Sequence, residues 1–140
     1  MYSRILVPID LDDPSSWQET VPAAVALARS FGSEIALIHV VSDLVLQLEA
    51  EWSGLALRRI LDTARAKLGL LANQYDSPKE ISVHVATGSI YRGILDLAER
   101  ENVDLIVMAP HRPRPAAFLL GENAERVVRH AKCSVLIVRR

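Results

Sequence analysis

Two stretches of this chain carry the residues that could do chemistry. Asp10 ends the apolar run Ile5–Ile9, and a second apolar run, Leu105–Met108, leads into Ala109-Pro110-His111-Arg112 and then Gly121-Glu122-Asn123. A strand, a basic proline-bearing loop and a glycine opening a helix make an anion-holding arrangement. The unpaired N–H groups and the dipole of a helix start both favour negative charge. Ala109 and Arg112 stand where a phosphate loop would ordinarily carry glycine, and both have a Cβ that limits close approach of the backbone to a phosphate. The charge distribution points the same way. The net charge is −1, yet residues from His111 onward sum to +5 and those before it to −6. Such sign asymmetry can mark an anion-binding region, and solvated helix faces would account for part of it.

The remaining titratable residues read as structural. Asp12 and Asp13 beside Pro14 suit a turn. His39 and His84 fall in strand-like runs with no third ligand at metal spacing, so no protein-built metal site is expected. His130 sits where it complements a helix C-terminus. Cys133 is the sole cysteine, which excludes a disulfide framework and leaves a redox pair without its second thiol. Gly88-Ser89 could hold an anion or serve as an ordinary turn and N-cap. There is no Ser-His-Asp order, no paired-carboxylate site and no aromatic-basic surface for nucleic acid. Residue chemistry alone gives no case for an enzyme.

These residues need a scaffold. A chain of 140 residues, 50% apolar, suits one domain spanning residues 1–140. No run approaches membrane-span length and no signal-peptide layout opens the chain, so a cytoplasmic protein away from membranes is expected. Five runs have strand length: Ile5–Ile9, Glu34–Val41, Ile81–Ala86, Leu105–Met108 and Ser134–Val138. Four are nearly continuous Val, Ile and Leu, as in parallel sheets covered on both faces. Helical patterns lie between them at Val21–Ser30 with Gly32 as C-terminal cap, Leu55–Leu71, Ile90–Glu101 and Asn123–Ala131. Ser16 with Glu19 resembles a capping box, but Pro22 would then lie too deep, which calls for a kink or a start nearer Thr20. Residues 42–54, with Trp52, stay ambiguous. The alternating order predicts an α/β, doubly wound five-stranded parallel sheet of Rossmann or flavodoxin type, strand order 3-2-1-4-5. Ligands of such sheets sit beyond the carboxyl ends of the strands, here beside Asp10 and the loop after Met108.

With these residues in place, the chain resembles the universal stress protein family from end to end. The resemblance rests on Ile5-Leu6-Val7-Pro8-Ile9-Asp10, on Asp104 to Met108, and on Gly121 through Ala131 to Arg139. The loop His111-Arg112-Pro113 with Leu119-Leu120-Gly121 is similar to the short F/G-type members rather than the A-type branch. The resemblance implies a small cytoplasmic stress-response module, usually dimeric. One branch of the family binds ATP through a loop written G-x2-G-x9-G-(S/T), and another does not. Carried over, Pro8, Ile9, Asp10 and the backbone near Val41 would face adenine and ribose. Ala109 takes the first glycine's place and Arg112 the second's. Gly121 takes the third, with one residue fewer before it than the pattern. Glu122 holds the Ser/Thr place, Asn123 follows, and Met108 and His111 flank the nucleotide.

These departures act in opposite directions. Glu122 brings a carboxylate towards the phosphates unless a magnesium ion bridges them. Arg112, Arg114 and His111 add positive charge that could hold them. Three readings stay open: a module binding ATP or another adenine nucleotide, a nucleotide-free interaction protein, and a slow ATPase. The strand bearing Val135, Leu136, Ile137 and Val138 is expected to lie at the sheet edge. There it would pair with its twin in a two-fold homodimer, a tetramer being the next assembly open.

Overall fold

The five apolar runs become five parallel strands, β1 (Arg4–Pro8), β2 (Glu34–Ser42), β3 (Ile81–Gly88), β4 (Leu105–Met108) and β5 (Ser134–Ile137), in spatial order β3-β2-β1-β4-β5. A computed structural model describes residues 1–42, 54–110 and 120–139. Helices α1 (Thr20–Phe31), α2 (Gly54–Asn73), α3 (Ile90–Arg100) and α4 (Glu122–His130) connect the strands. The expected fold class and strand order are both present.

Alternation along the strands sorts the core into two layers. Ile5, Val7, Ile35, Leu37, Leu105 and Val107 meet Val21, Ala24 and Ala28 of α1 and Ala64, Leu68 and Leu71 of α2. Leu6, Ile38, Val40, Ile106 and Met108 face the other way, onto Ile94 and Leu97 of α3 and Ala124 and Val127 of α4. Because side chains point alternately to opposite faces, a strand covered on both sides must be apolar throughout, and all four residues of β4 are buried.

The amino-terminal edge of the sheet is clamped by one carboxylate. Asp104 accepts hydrogen bonds from the Ser3 N–H at 2.8 Å and the Arg4 N–H at 3.0 Å, while its own N–H donates to the Arg4 carbonyl at 3.0 Å. This locks the start of β1 beside the start of β4.

Boundaries differ from expectation where backbone bonding decides them. β2 and β3 run on to Ser42 and Gly88, and Ile9 and Val138 fall just outside β1 and β5. Both outliers keep ladder-like bonds, Ile9 N–H to the Ile38 carbonyl at 2.8 Å and Val138 N–H to the Met108 carbonyl at 2.9 Å. Gly32 caps α1 as expected, at φ 68° and ψ 33°. The Ser16–Glu19 capping box does not form. Ser16 closes a short 3-10 turn (Pro14–Ser16), and α1 starts at Thr20, so Pro22 lies in the first turn, where its missing N–H costs nothing.

Candidate functional site

The carboxyl ends of β1, β2 and β4 open into a cavity of about 700 Å³. That volume falls within the range of small-molecule sites. From the first strand, Pro8, Ile9 and Asp10 line it; Val41 comes from β2, and Met108 and Ala109 from the end of β4. Gly121, Glu122 and Asn123 complete the expected set at the start of α4. His111 and Arg112 lie outside the described residues, as do Trp52, Pro113, Arg114 and Leu119. The described candidates, dispersed over more than a hundred residues of sequence, therefore share one cavity.

Asp10 is fixed by a local network. Its carboxylate accepts from the Asp12 N–H at 3.0 Å, and its carbonyl accepts from the Asp13 N–H at 3.0 Å, closing the turn that aspartates at these positions favour. Asp13 in turn accepts from the Ser15 N–H at 3.0 Å. Buried Ser16 reaches back to Asp10, its hydroxyl accepting from the Asp10 N–H at 2.9 Å and donating to the Asp10 carbonyl at 3.1 Å. The capping-box resemblance of Ser16 and Glu19 gave no sign of this role.

His39 is a second residue whose part was missed. It lies in β2 as expected, but it also lines the cavity. Its Nδ1 is 3.0 Å from the Ile9 carbonyl and 3.4 Å from the Leu11 N–H. The shorter contact favours a proton on Nδ1, donated to Ile9, which ties the end of β2 to the chain leaving β1. His84, by contrast, sits on β3 with its Nε2 3.2 Å from the Ser82 hydroxyl and outside this cavity.

Another wall is the amino-terminus of α4. The Gly121 N–H donates to the Pro110 carbonyl at 2.7 Å, closing the base of the loop that leaves β4. Gly121 is the N-cap and provides no side-chain cap, so the N–H groups that open the helix keep their donor capacity at the cavity. Glu122 opens α4 but is ion-paired one turn on with Arg126 at 2.6 Å. That pairing offsets part of the negative charge which the sequence brings to this wall. Among the described residues, no three His, Cys, Asp or Glu side chains come together to hold a metal ion.

Two walls had no signal in the motif reading. Ile90 and Ile94 of α3 close the apolar side, and Arg59, Thr63 and Lys67 of α2 line the cavity from the other helical layer. Away from it, burial pushes the Cys133 thiol above its usual range, helped by nearby Asp104 and opposed by a backbone hydrogen bond. No helix among the described residues is long and apolar enough to cross a membrane.

Known proteins share this fold. Residues 1–139 match the universal stress protein family. Universal stress protein G of Shigella flexneri is 31% identical over 143 residues, covering 99% of this chain and 100% of the relative. Among solved structures, the hypothetical protein MJ0577 superposes with a TM-score of 0.76 at 25% identity, over 100% of this chain and 97% of that one. A universal stress protein solved in complex with cAMP superposes with a TM-score of 0.65 at 21% identity, over 99% and 97% of the two chains. With a family match along almost its whole length and a full-length relative at that identity, the chain belongs to the universal stress protein family.

Proposed function

We propose that this chain is a nucleotide-binding stress-response module that holds an adenine nucleotide in the cavity at the ends of β1, β2 and β4. The observation that carries the proposal is the convergence of Asp10, apolar strand ends and the uncapped start of α4 on one cavity of about 700 Å³. An apolar recess with a few convergent polar groups suits a nucleobase, and helix-start N–H groups suit a phosphate. In this reading adenine packs against Val41, ribose against Asp10, and phosphates towards Gly121 and Asn123. Support also comes from the relative of the same fold that was solved with cAMP.

Binding rather than turnover is the activity proposed. Ala109 and Glu122, in the places of a glycine and a hydroxyl residue, favour a second reading, a nucleotide-free interaction protein. Mass spectrometry of ligand released from gently purified protein, followed by calorimetry with ATP, ADP, AMP and cAMP, separates the two. A copurified adenine nucleotide or micromolar binding supports the first. Empty protein that binds none of the four overturns it.

The assembly proposed is a cytoplasmic homodimer paired through β5. That strand ends the sheet order, and Leu136 on it is 39% exposed. A two-fold axis would let the same edge satisfy both copies' backbone groups.

A further inference from the structure

Helix α2 borders the cavity with Ile60 and Ala64 and, beside them, with a polar row. Arg59, Thr63 and Lys67 all line it, and all three are exposed. Their spacing of four residues puts them on one helical face, about 6 Å of rise apart. Arg65 of the same helix lies 3.8 Å from Asp62, whereas Arg59 and Lys67 have no ion-pair partner among the described residues. Three of the described carboxylates border the cavity: Asp10 is turned to the Asp12 N–H and Glu122 to Arg126, which leaves Asp12 as the acidic group that Arg59 and Lys67 outnumber.

Positive potential therefore reaches the cavity from two places. One is the start of α4, in the helical layer built on Leu6 and Ile106. The other is the α2 ridge, in the layer built on Ile5 and Val7. A nucleotide with anionic groups on both sides of its ribose could meet both. Resting on the nucleotide reading above, we infer that Arg59, Thr63 and Lys67 form a second anion-holding wall, and that the cavity takes a nucleotide bearing anionic groups at two separated positions. Arg59 and Lys67 supply charge-assisted donors, and the Thr63 hydroxyl lies between them as a neutral one.

The probes are AMP, ADP and adenosine 3′,5′-bisphosphate, titrated into full-length protein by calorimetry. ADP carries its second phosphate on the first, whereas the bisphosphate carries it on the far side of the ribose. The bisphosphate should bind about tenfold tighter than ADP, as expected for one added charge-assisted contact. Arg59→Gln/Lys67→Gln should bring that ratio near one, and Arg65→Gln, outside the cavity, should leave it in place. Glutamine keeps the helical preference of the residues it replaces, and thermal melts check that each variant is folded.

Three results would overturn the inference. Equal affinity of wild type for ADP and bisphosphate removes the second wall while leaving the nucleotide site standing. Parallel weakening of both ligands in the double variant means that the cations act only as general potential. Failure of all three ligands to bind removes the nucleotide reading and this inference together.

Discussion

Replacing Ser16 with alanine tests the view that the Asp10 turn is built from within. The hydroxyl is the hydrogen-bond partner of both the Asp10 N–H and the Asp10 carbonyl, at 2.9 and 3.1 Å, on a residue only 6% exposed. The carbonyl keeps the Asp13 N–H when the hydroxyl goes, but the Asp10 N–H is left without its acceptor. A buried donor stranded in this way costs about 1–3 kcal/mol, and partial burial here argues for about 1–2. At about 2.1 cal/mol/K of unfolding entropy per residue, a chain of 140 residues should then lose about 3–7 °C in Tm. Urea titrations should show the midpoint lowered with the slope unchanged. Ser15→Ala is the matched control. Its exposed hydroxyl bonds Asp13 at 2.7 Å, so its removal should cost less than about 0.5 kcal/mol. If Asp10 holds the ribose, Ser16→Ala should also weaken AMP binding, and Ser15→Ala should not. Equal losses of stability for the two variants would refute the reasoning, because burial would then not set the cost.

Glu122→Ser should tighten ATP. A carboxylate about 4 Å from a phosphate opposes it by about 4 kcal/mol at an effective dielectric near 20, and the Arg126 contact should trim the gain to about tenfold. Calorimetry with magnesium and with chelator should show the gain shrinking as magnesium or salt rises; no gain under either condition means that Glu122 lies away from the phosphates. Cys133 should react slowly with thiol reagents at pH 8, because burial raises its pKa. The raised folded pKa also fixes the sign of its pH effect: the contribution to stability is complete below the unfolded thiol's pKa and fades as pH rises through the folded one. Alkaline melts of wild type and Cys133→Ser check this, and a wild type that gains on the variant above pH 9 would reverse the sign. Leu136→Pro should convert a β5-paired dimer to monomer or aggregate by ultracentrifugation, and a wild type already monomeric at high micromolar concentration rules out that pairing.

The fold was legible because its signals are local. Four runs of Val, Ile and Leu announce strands covered on both faces, and Gly32 announces the end of α1 through a positive φ that few other residues accept. The candidate site was legible in part, since Asp10 and Gly121 sit at the ends of such elements. What stayed hidden depends on contacts across the chain. Ser16 looked like a cap because serine before a helix usually is one, yet its hydroxyl turns back six residues to Asp10. His39 looked like one more strand residue, and only the packing of β1 beside β2 brings its Nδ1 to the Ile9 carbonyl. Arg59, Thr63 and Lys67 carried no signal of their own, since helical periodicity reports which side is buried but not what the polar side overlooks.

The Asp104 clamp and the cavity occupy opposite edges of the same sheet, and that placement has a mechanical meaning. The amino-terminal edge is stapled where β1 and β4 begin. At the carboxyl edge lies the cavity, bordered by α2 from one layer and by α3 and α4 from the other. The protein is thus built like a book bound along one margin, and a molecule seated in the free margin touches both covers. Occupancy at a hundred times Kd would add about 2.7 kcal/mol to the folded form. A listener that grips both helical layers would sense the presence of ligand without ever touching it.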